Sequence, residues 1–386
     1  MLNDPGDASV SIQRLDWTPA MLAVEWSDGR RSEFASIWLR DNLSADRDAF
    51  SGQRLTDVAD LPRSPRIRRA ELRDGALAVE WEGESAQARF TTQWLARQAA
   101  ALERASDRWR PRLWREGAAR DAVRDFAWTT PGAMGADPAA FTDWLRRLIV
   151  EGMAFLADVP TEAGTIVSAV SPIGQLAQTN YGLVFDVRSV VQPENLAYSD
   201  RGLGLHTDNP YREPVPGFQA LHVLLAAPDG GESLFADGFA IAEALRQESP
   251  GDFEQLTRTA VPFVYRSRDA LLEARRPLIQ LSCAGEVIAV HYNSRSIAPF
   301  PFTAALAERY YGAYRRFAEM LRDPRFTLRF MMRAGNLVVF DNQRILHGRT
   351  AFTSARHPRH LQGCYLTRDS VRSRAALLGA EPGGGA

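Results

Sequence analysis

Apolar and polar residues alternate twice near the start of the chain. LAVEWSDGRRSEFASIWL (Leu22–Leu39) is echoed by LAVEWEGESAQARFTTQWL (Leu77–Leu95). Leu22, Val24 and Trp26 match Leu77, Val79 and Trp81, and Phe34 and Trp38 match Phe90 and Trp94 after one inserted residue. A period of two is that of a half-buried strand, and Asp28-Gly29 and Glu82-Gly83 supply turns, so each copy predicts a hairpin ending in a Trp-Leu segment. Together they predict a small β-rich domain over residues 1–100. Residues 101–135, rich in Arg, Ala and Trp, read as a connector. The period then changes. Phe141, Trp144, Leu145, Leu148 and Ile149 form one stripe of a helix that Asp137 can cap, Pro138 can open and Gly152 can end. Beyond it, short runs such as FQALHVLLA, LIQLSC, VIAVHYN and NLVVFD alternate with loops, interrupted by helical stretches near Gly238–Arg246 and Ala304–Leu321. Many short strands with Pro/Gly-rich turns predict a sandwich or double-sheet jelly roll over 136–375. The end of the chain, 376–386, is expected to be a flexible tail.

Composition narrows the classes. The 386 residues carry 46 basic and 47 acidic side chains, a net charge of −1, so no basic excess points to nucleic acid. No apolar run approaches the roughly 18 residues of a membrane span, and the N-terminus lacks the basic and apolar regions of a signal peptide. The two cysteines, Cys283 and Cys364, exclude a disulfide framework and fit a reducing cytoplasm.

The candidate chemistry centres on LGLHTDNPYREPVPG (Leu203–Gly217). Residues i and i+2 of a strand share a face, so His206 and Asp208 can offer an imidazole and a carboxylate to one ion. A second histidine, His347, follows the apolar run Leu337–Phe340 and can return to the same place in a double sheet. Two histidines and one carboxylate leave three metal positions open, the ligand set of non-haem Fe(II) oxygen chemistry. Such an enzyme needs electrons, often from a 2-oxo acid whose far carboxylate needs a cation. Arg356 and Arg359 follow His347 by nine and twelve residues, and the planar fork of Arg359 suits a carboxylate. His222 and His291 lie in or near strands and His357 and His360 in a basic loop, where core packing or solvation is the ordinary role. The first 100 residues contain no histidine or cysteine.

HxD in LHTDNP, the downstream HGR and the RHLQG arginine together resemble the Fe(II)/2-oxoglutarate dioxygenases of the taurine dioxygenase superfamily. WLRDN (Trp38–Asn42), ENLAYSDRGLGLHTDNP and GGESLFADGF (Gly230–Phe239) extend the likeness to its γ-butyrobetaine hydroxylase group. The resemblance implies a mainly β fold with helices, a double-stranded β-helix (jelly-roll) core plus the small N-terminal domain. It implies Fe(II) on His206, Asp208 and His347, with O2 and 2-oxoglutarate as co-reactants. Arg359 would bind the distal carboxylate of 2-oxoglutarate, helped by the Leu221 backbone and Ser233. A zinc site held by cysteines beside WLRDN in several relatives is absent here, where the chain reads LSADRDAF. The group often forms dimers, so a homodimer is expected.

The resemblance also implies a substrate pocket. Tyr181, Phe185, Tyr198 and Tyr365 would cage a quaternary ammonium, which offers no hydrogen-bond donor and is attracted by ring faces. Asn195 would bind the substrate anion. Asn209 and the pair Asn293 and Arg295 depart from the butyrobetaine pattern and suit a bulkier anion. That favours 2-(trimethylamino)ethylphosphonate over γ-butyrobetaine, with trimethyllysine third. A non-catalytic binding protein on the same fold is the rival of another class; the intact ligand set speaks against it. An iron halogenase needs the carboxylate vacated, and Asp208 speaks against that.

Overall fold

The computed structural model describes residues 10–84, 87–107, 110–114, 129–188, 201–227, 229–352 and 359–379. The chain divides into two compact units, within residues 1–110 and 111–379.

In the first unit the sequence repeat becomes a structural one. Strands β1 (Ile12–Thr18), β2 (Met21–Trp26) and β3 (Arg31–Ala35) form an antiparallel meander, followed by helix α1 (Ser36–Asp41). Strands β4 (Ile67–Arg73), β5 (Ala76–Trp81) and β6 (Ala88–Thr91) repeat it, followed by α2 (Thr92–Asp107). Each hairpin therefore gains a leading strand. Even the register irregularity recurs, between Ile12 and Arg14 in one copy and Ile67 and Arg69 in the other. The matched residues Leu22, Val24, Trp26, Leu77, Val79 and Trp81 are fully buried in one shared core. The buried indoles are satisfied: Trp26 donates to Ser32 at 2.8 Å and Trp81 to Ser36 at 2.9 Å.

The second unit opens with the short helix α3 (Pro131–Ala136) and the amphipathic α4 (Pro138–Val150). Asp137 accepts from the Ala139 amide at 2.9 Å, and Phe141, Trp144, Leu145 and Leu148 are buried, as the stripe predicts. Then follow β7 (Met153–Leu156), α5 (Thr165–Val170), β8 (Leu176–Ala177), β9 (Phe185–Arg188), β10 (Leu203–His206), β11 (Phe218–Leu225) and β12 (Ser233–Asp237). Helices α6 (Gly238–Glu248) and α7 (Pro250–Arg258) precede the hairpins β13 (Ala260–Arg266) with β14 (Leu271–Pro277) and β15 (Ile279–Leu281) with β16 (Val287–Val290). The chain ends through α8 (Ala304–Met320), β17 (Thr327–Phe330), β18 (Leu337–Asp341), β19 (Ile345–Arg349), β20 (His360–Leu366) and α9 (Arg368–Gly379).

Two sheets dominate this unit. One runs β7-β18-β11-β20-β8 with β9 also on β20; the other runs β10-β19-β12-β17. Met153, Phe155, Val223, Val338, Phe340 and Leu361 of the first share a core with Phe235, Leu328 and Ile345 of the second. Helices α6, α7 and α8 build another core with β13, β15 and β16.

The expected double-stranded β-helix is corrected by this topology. Among the described residues no ladder joins the edges of the two sheets, so they are open sheets in a mixed α/β fold rather than a closed barrel. The reason is physical: apolar runs of four or five residues identify strands, but closure depends on edge pairing between segments far apart in sequence.

Candidate metal centre

His206 ends β10 and His347 lies within β19, and the antiparallel register makes them direct cross-strand partners. Their rings stand 4.3 Å apart, centroid to centroid. Asp208 arrives differently from the expected strand alternation, because β10 has already ended. Its backbone is gripped by the side chain of Asn342, which accepts from the Asp208 amide at 2.7 Å and donates to its carbonyl at 3.0 Å. Asn342 is fully buried and also donates to the Pro216 carbonyl at 3.2 Å, so the turn after β10 is held against the end of β18.

The ligand atoms of His206, Asp208 and His347 lie within 4.8 Å of one another. Nδ1 of His206 is 2.9 Å from the Gly204 carbonyl, which can only accept, so Nδ1 donates there and Nε2 is the nitrogen turned to the site. Nε2 of His206 stands 3.2 Å from Oδ1 of Asp208, and Nε2 of His347 stands 3.8 Å from Oδ2. Burial, aided by His206, lowers the His347 pKa to about 3, so its imidazole is neutral near pH 7. Burial opposes ionisation of Asp208, but the imidazoles of His347 and His206 and the Tyr365 hydroxyl outweigh it and hold the carboxyl well below its ordinary range. The donor atoms of two imidazoles and one carboxylate converge on one point of the cavity. Two imidazoles and a carboxylate fit a divalent transition metal.

The three residues line a cavity of about 410 Å³. Of the side chains expected at the site, Tyr181, Phe185, Asn209, Leu221, Ser233, Asn293, Arg295, Arg359 and Tyr365 line it as well. Asn195 and Tyr198 lie outside the described residues. Phe185 and Tyr365 are 5.2 Å apart between ring centres, and Tyr181 is 6.3 Å from Phe185. Gly363 explains the seat of Phe185: it lies directly between Phe185 of β9 and Leu221 of β11, and the ring fills the space a Cβ would take. Sequence reading missed Tyr211, Tyr265 and Arg349, which also line the cavity. Tyr265 lies in the FVYRS run, legible only as a strand, yet its ring stacks on Tyr211 at 5.2 Å and meets Tyr181 edge-on at 5.8 Å.

Residues 119–365 match the Taurine catabolism dioxygenase TauD, TfdA family, and residues 14–96 match the Gamma-butyrobetaine hydroxylase-like N-terminal domain. The chain belongs to the TauD/TfdA dioxygenase family. It is 37% identical to a gamma-butyrobetaine dioxygenase of Pseudomonas sp. (strain AK-1), over 92% of this chain and 93% of that one. It is 28% identical to a trimethyllysine dioxygenase of Meyerozyma guilliermondii over the same shares. As a TauD/TfdA dioxygenase it is an Fe(II)/2-oxoglutarate-dependent enzyme, and the three-residue donor set fits that metal.

The TauD/TfdA chain also places cationic groups in the cavity. Arg359 and Arg349 both lie beside the Phe352 ring, 5.6 and 5.2 Å from its centre. Arg359 is buried, and its pKa is lowered to about 10 by burial and by Arg349, so it remains cationic near neutrality. Among the described residues no carboxylate lies within ion-pair distance of Arg359. Ser233 is beside Arg349 in register across β12 and β19. Leu221 sits in the middle of a sheet, paired with Val338 on one side and Gly363 on the other, and contributes its side chain to the wall. His222 and His291 are buried away from the donor set, and His360 pairs with Asp186 at 2.7 Å. His357 and Arg356 lie outside the described residues.

Proposed function

We propose that this enzyme hydroxylates a small zwitterion with a trimethylammonium at one end and an anion at the other, with γ-butyrobetaine as the substrate. The observation that carries the reading is the wall of aromatic rings beside the candidate metal ligands in one cavity. A trimethylammonium offers no N–H, so ring faces are its best partners, and Tyr181, Phe185, Tyr265 and Tyr365 present them, with Tyr198 the remaining proposed contact. The likeness to a gamma-butyrobetaine dioxygenase over nearly the whole chain supports the carboxylate form.

His206, Asp208 and His347 would hold Fe(II). With the metal bound, O2 and 2-oxoglutarate supply the oxidation: one oxygen atom ends in succinate, whose formation releases CO2, and the other in the hydroxylated substrate. Arg359 would grip the distal carboxylate of 2-oxoglutarate through two hydrogen bonds, with Ser233 and Leu221 alongside. Asn293, Arg295 and Asn195 would take the substrate anion. We place the enzyme in the cytoplasm as a homodimer.

Arg295 favours a second reading. It lines the cavity and has no carboxylate within ion-pair distance among the described residues. A phosphonate, with three oxygens and up to two charges, would use such a guanidinium more fully than a carboxylate. The substrate would then be 2-(trimethylamino)ethylphosphonate. The test supplies Fe(II), 2-oxoglutarate and O2 with γ-butyrobetaine, the phosphonate or trimethyllysine, and measures succinate and hydroxylated product. Carnitine formation is expected. Product from the phosphonate alone transfers the assignment to the second reading, and product from none of the three overturns both.

A further inference from the structure

A chain of hydrogen bonds runs from the aromatic wall to the candidate metal carboxylate. Tyr365 donates to Oδ2 of Asp208 at 2.9 Å. Its oxygen accepts from Nδ2 of Asn209 at 3.1 Å. Oδ1 of Asn209 accepts from the Tyr211 hydroxyl at 2.6 Å. The Tyr211 oxygen lies 3.1 Å from the Tyr181 hydroxyl. A phenol has one proton, and that of Tyr211 is committed to Asn209, so Tyr181 must be the donor of the last pair. Every bond in the chain therefore points the same way, towards Asp208.

Asn209 is the one member that could reverse it. An amide is donor at one end and acceptor at the other, and here each end already has a phenol. Its backbone is left-handed, with φ of 53°, a conformation that asparagine tolerates better than most residues. It is 5% exposed, so water is not a ready substitute partner. The Tyr365 bond holds Oδ2 of Asp208, while Oδ1 faces His206 at 3.2 Å.

We propose that Asn209 is a positioning residue that locks Tyr365 onto Oδ2 of Asp208 and thereby ties the substrate-facing ring of Tyr181 to the geometry of the metal carboxylate. The inference rests on the reading above, in which Asp208 ligates the metal and Tyr181 faces the substrate. It assigns Asn209 to aligning the centre and coupling cosubstrate consumption to hydroxylation, in place of a direct contact with the substrate anion.

The experiment compares the full-length protein with Asn209→Ala, Tyr365→Phe, the double variant and Tyr211→Phe. Mn(II) binding is titrated anaerobically, and the ratio of succinate to hydroxylated product is measured with Fe(II), 2-oxoglutarate and the preferred substrate. Asn209→Ala and Tyr365→Phe should each weaken Mn(II) binding by about 10- to 100-fold, the usual effect of removing a partner of a metal ligand. Each should also raise the succinate-to-product ratio above one. The double variant should be no worse than Tyr365→Phe, because both act through one bond. Tyr211→Phe, a smaller change that keeps the ring, should shift both readouts in the same sense. Multiplicative losses in the double variant would overturn the proposal. So would an Asn209→Ala effect confined to the substrate KM, the signature of an anion contact. Mn(II) binding is read without any substrate, so failure of the substrate assignment leaves this result separately legible.

Discussion

The side-chain amide of Asn342 clasps the backbone of Asp208 from both sides, accepting its N–H at 2.7 Å and donating to its carbonyl at 3.0 Å. The pair stands in for a strand rung at the point where β10 has ended, and it aims the carboxylate at His206 and His347. Asn342→Ala should therefore weaken Mn(II) binding by about 10- to 100-fold, while far-ultraviolet circular dichroism stays unchanged. Unaltered affinity in a folded variant would show that the turn holds its shape without the amide.

Arg359 is a buried cation without a carboxylate within ion-pair distance among the described residues. Arg359→Ala should cost about 2–4 kcal/mol of 2-oxoglutarate binding, a rise in its KM on the order of 30- to 1000-fold. Mn(II) affinity should hold. Steady-state kinetics at varied 2-oxoglutarate, with Arg359→Lys as the variant that keeps charge but loses the fork, checks the assignment.

Gly363 leaves the space that the Phe185 ring fills, and a Cβ there would collide with that ring. Gly363→Ala should push Phe185 out of the aromatic wall. Loss of one ring face removes about 0.5–2 kcal/mol of cation attraction, so the KM for the trimethylammonium substrate should rise roughly 3- to 30-fold. Decarboxylation of 2-oxoglutarate without substrate should be unaffected. A parallel loss of both activities would place Gly363 in folding instead.

Arg344 and Asp237 form a fully buried pair, with Nη2 2.8 Å from Oδ2 and Nε 3.1 Å from Oδ1. Arg344 also donates to the carbonyls of Val150 at 2.8 Å and Arg112 at 2.6 Å, and Asp237 caps α6 through the Phe239 amide at 3.0 Å. Arg344→Ala leaves a buried carboxylate and two carbonyl groups without their partner, and should destabilise by about 3–5 kcal/mol. The double change Arg344→Met with Asp237→Asn should recover part of that loss in urea unfolding. No recovery would show that the carbonyl contacts, and not the stranded charge, dominate.

His291 gives the acid limb of stability a defined sign. Burial, with Arg276 and Arg368 nearby, lowers its pKa to about 3, whereas an unfolded histidine titrates near 6.5. As pH falls below about 6.5 the unfolded chain gains a proton that the folded one refuses. Stability from this group is complete above that pH and is lost progressively towards pH 3, by up to about 1.4 kcal/mol per unit. Urea midpoints between pH 7 and 5 should fall more steeply for the natural protein than for His291→Gln. Parallel curves would mean that His291 protonates in the folded state.

The sequence by itself determined what is local. The period of two and its turn glycines specified the repeated hairpins, and the stripe with Asp137 and Pro138 specified α4. The residue types at 206, 208 and 347 specified a candidate metal-ligand set, and Arg359 the proposed partner of an anion. These are legible because backbone period, capping and ligand type depend on residues a few positions apart. Only the tertiary structure decided the rest. It left the two sheets open, aimed Asp208 through Asn342 rather than through strand alternation, gave both ends of the Asn209 amide to phenols, and brought Tyr211, Tyr265 and Arg349 into the cavity. These depend on which segments lie side by side though far apart in the chain, as with Asp208 and Asn342 or Asn209 and Tyr365, and that is set by the packing of the whole core, not by any local pattern.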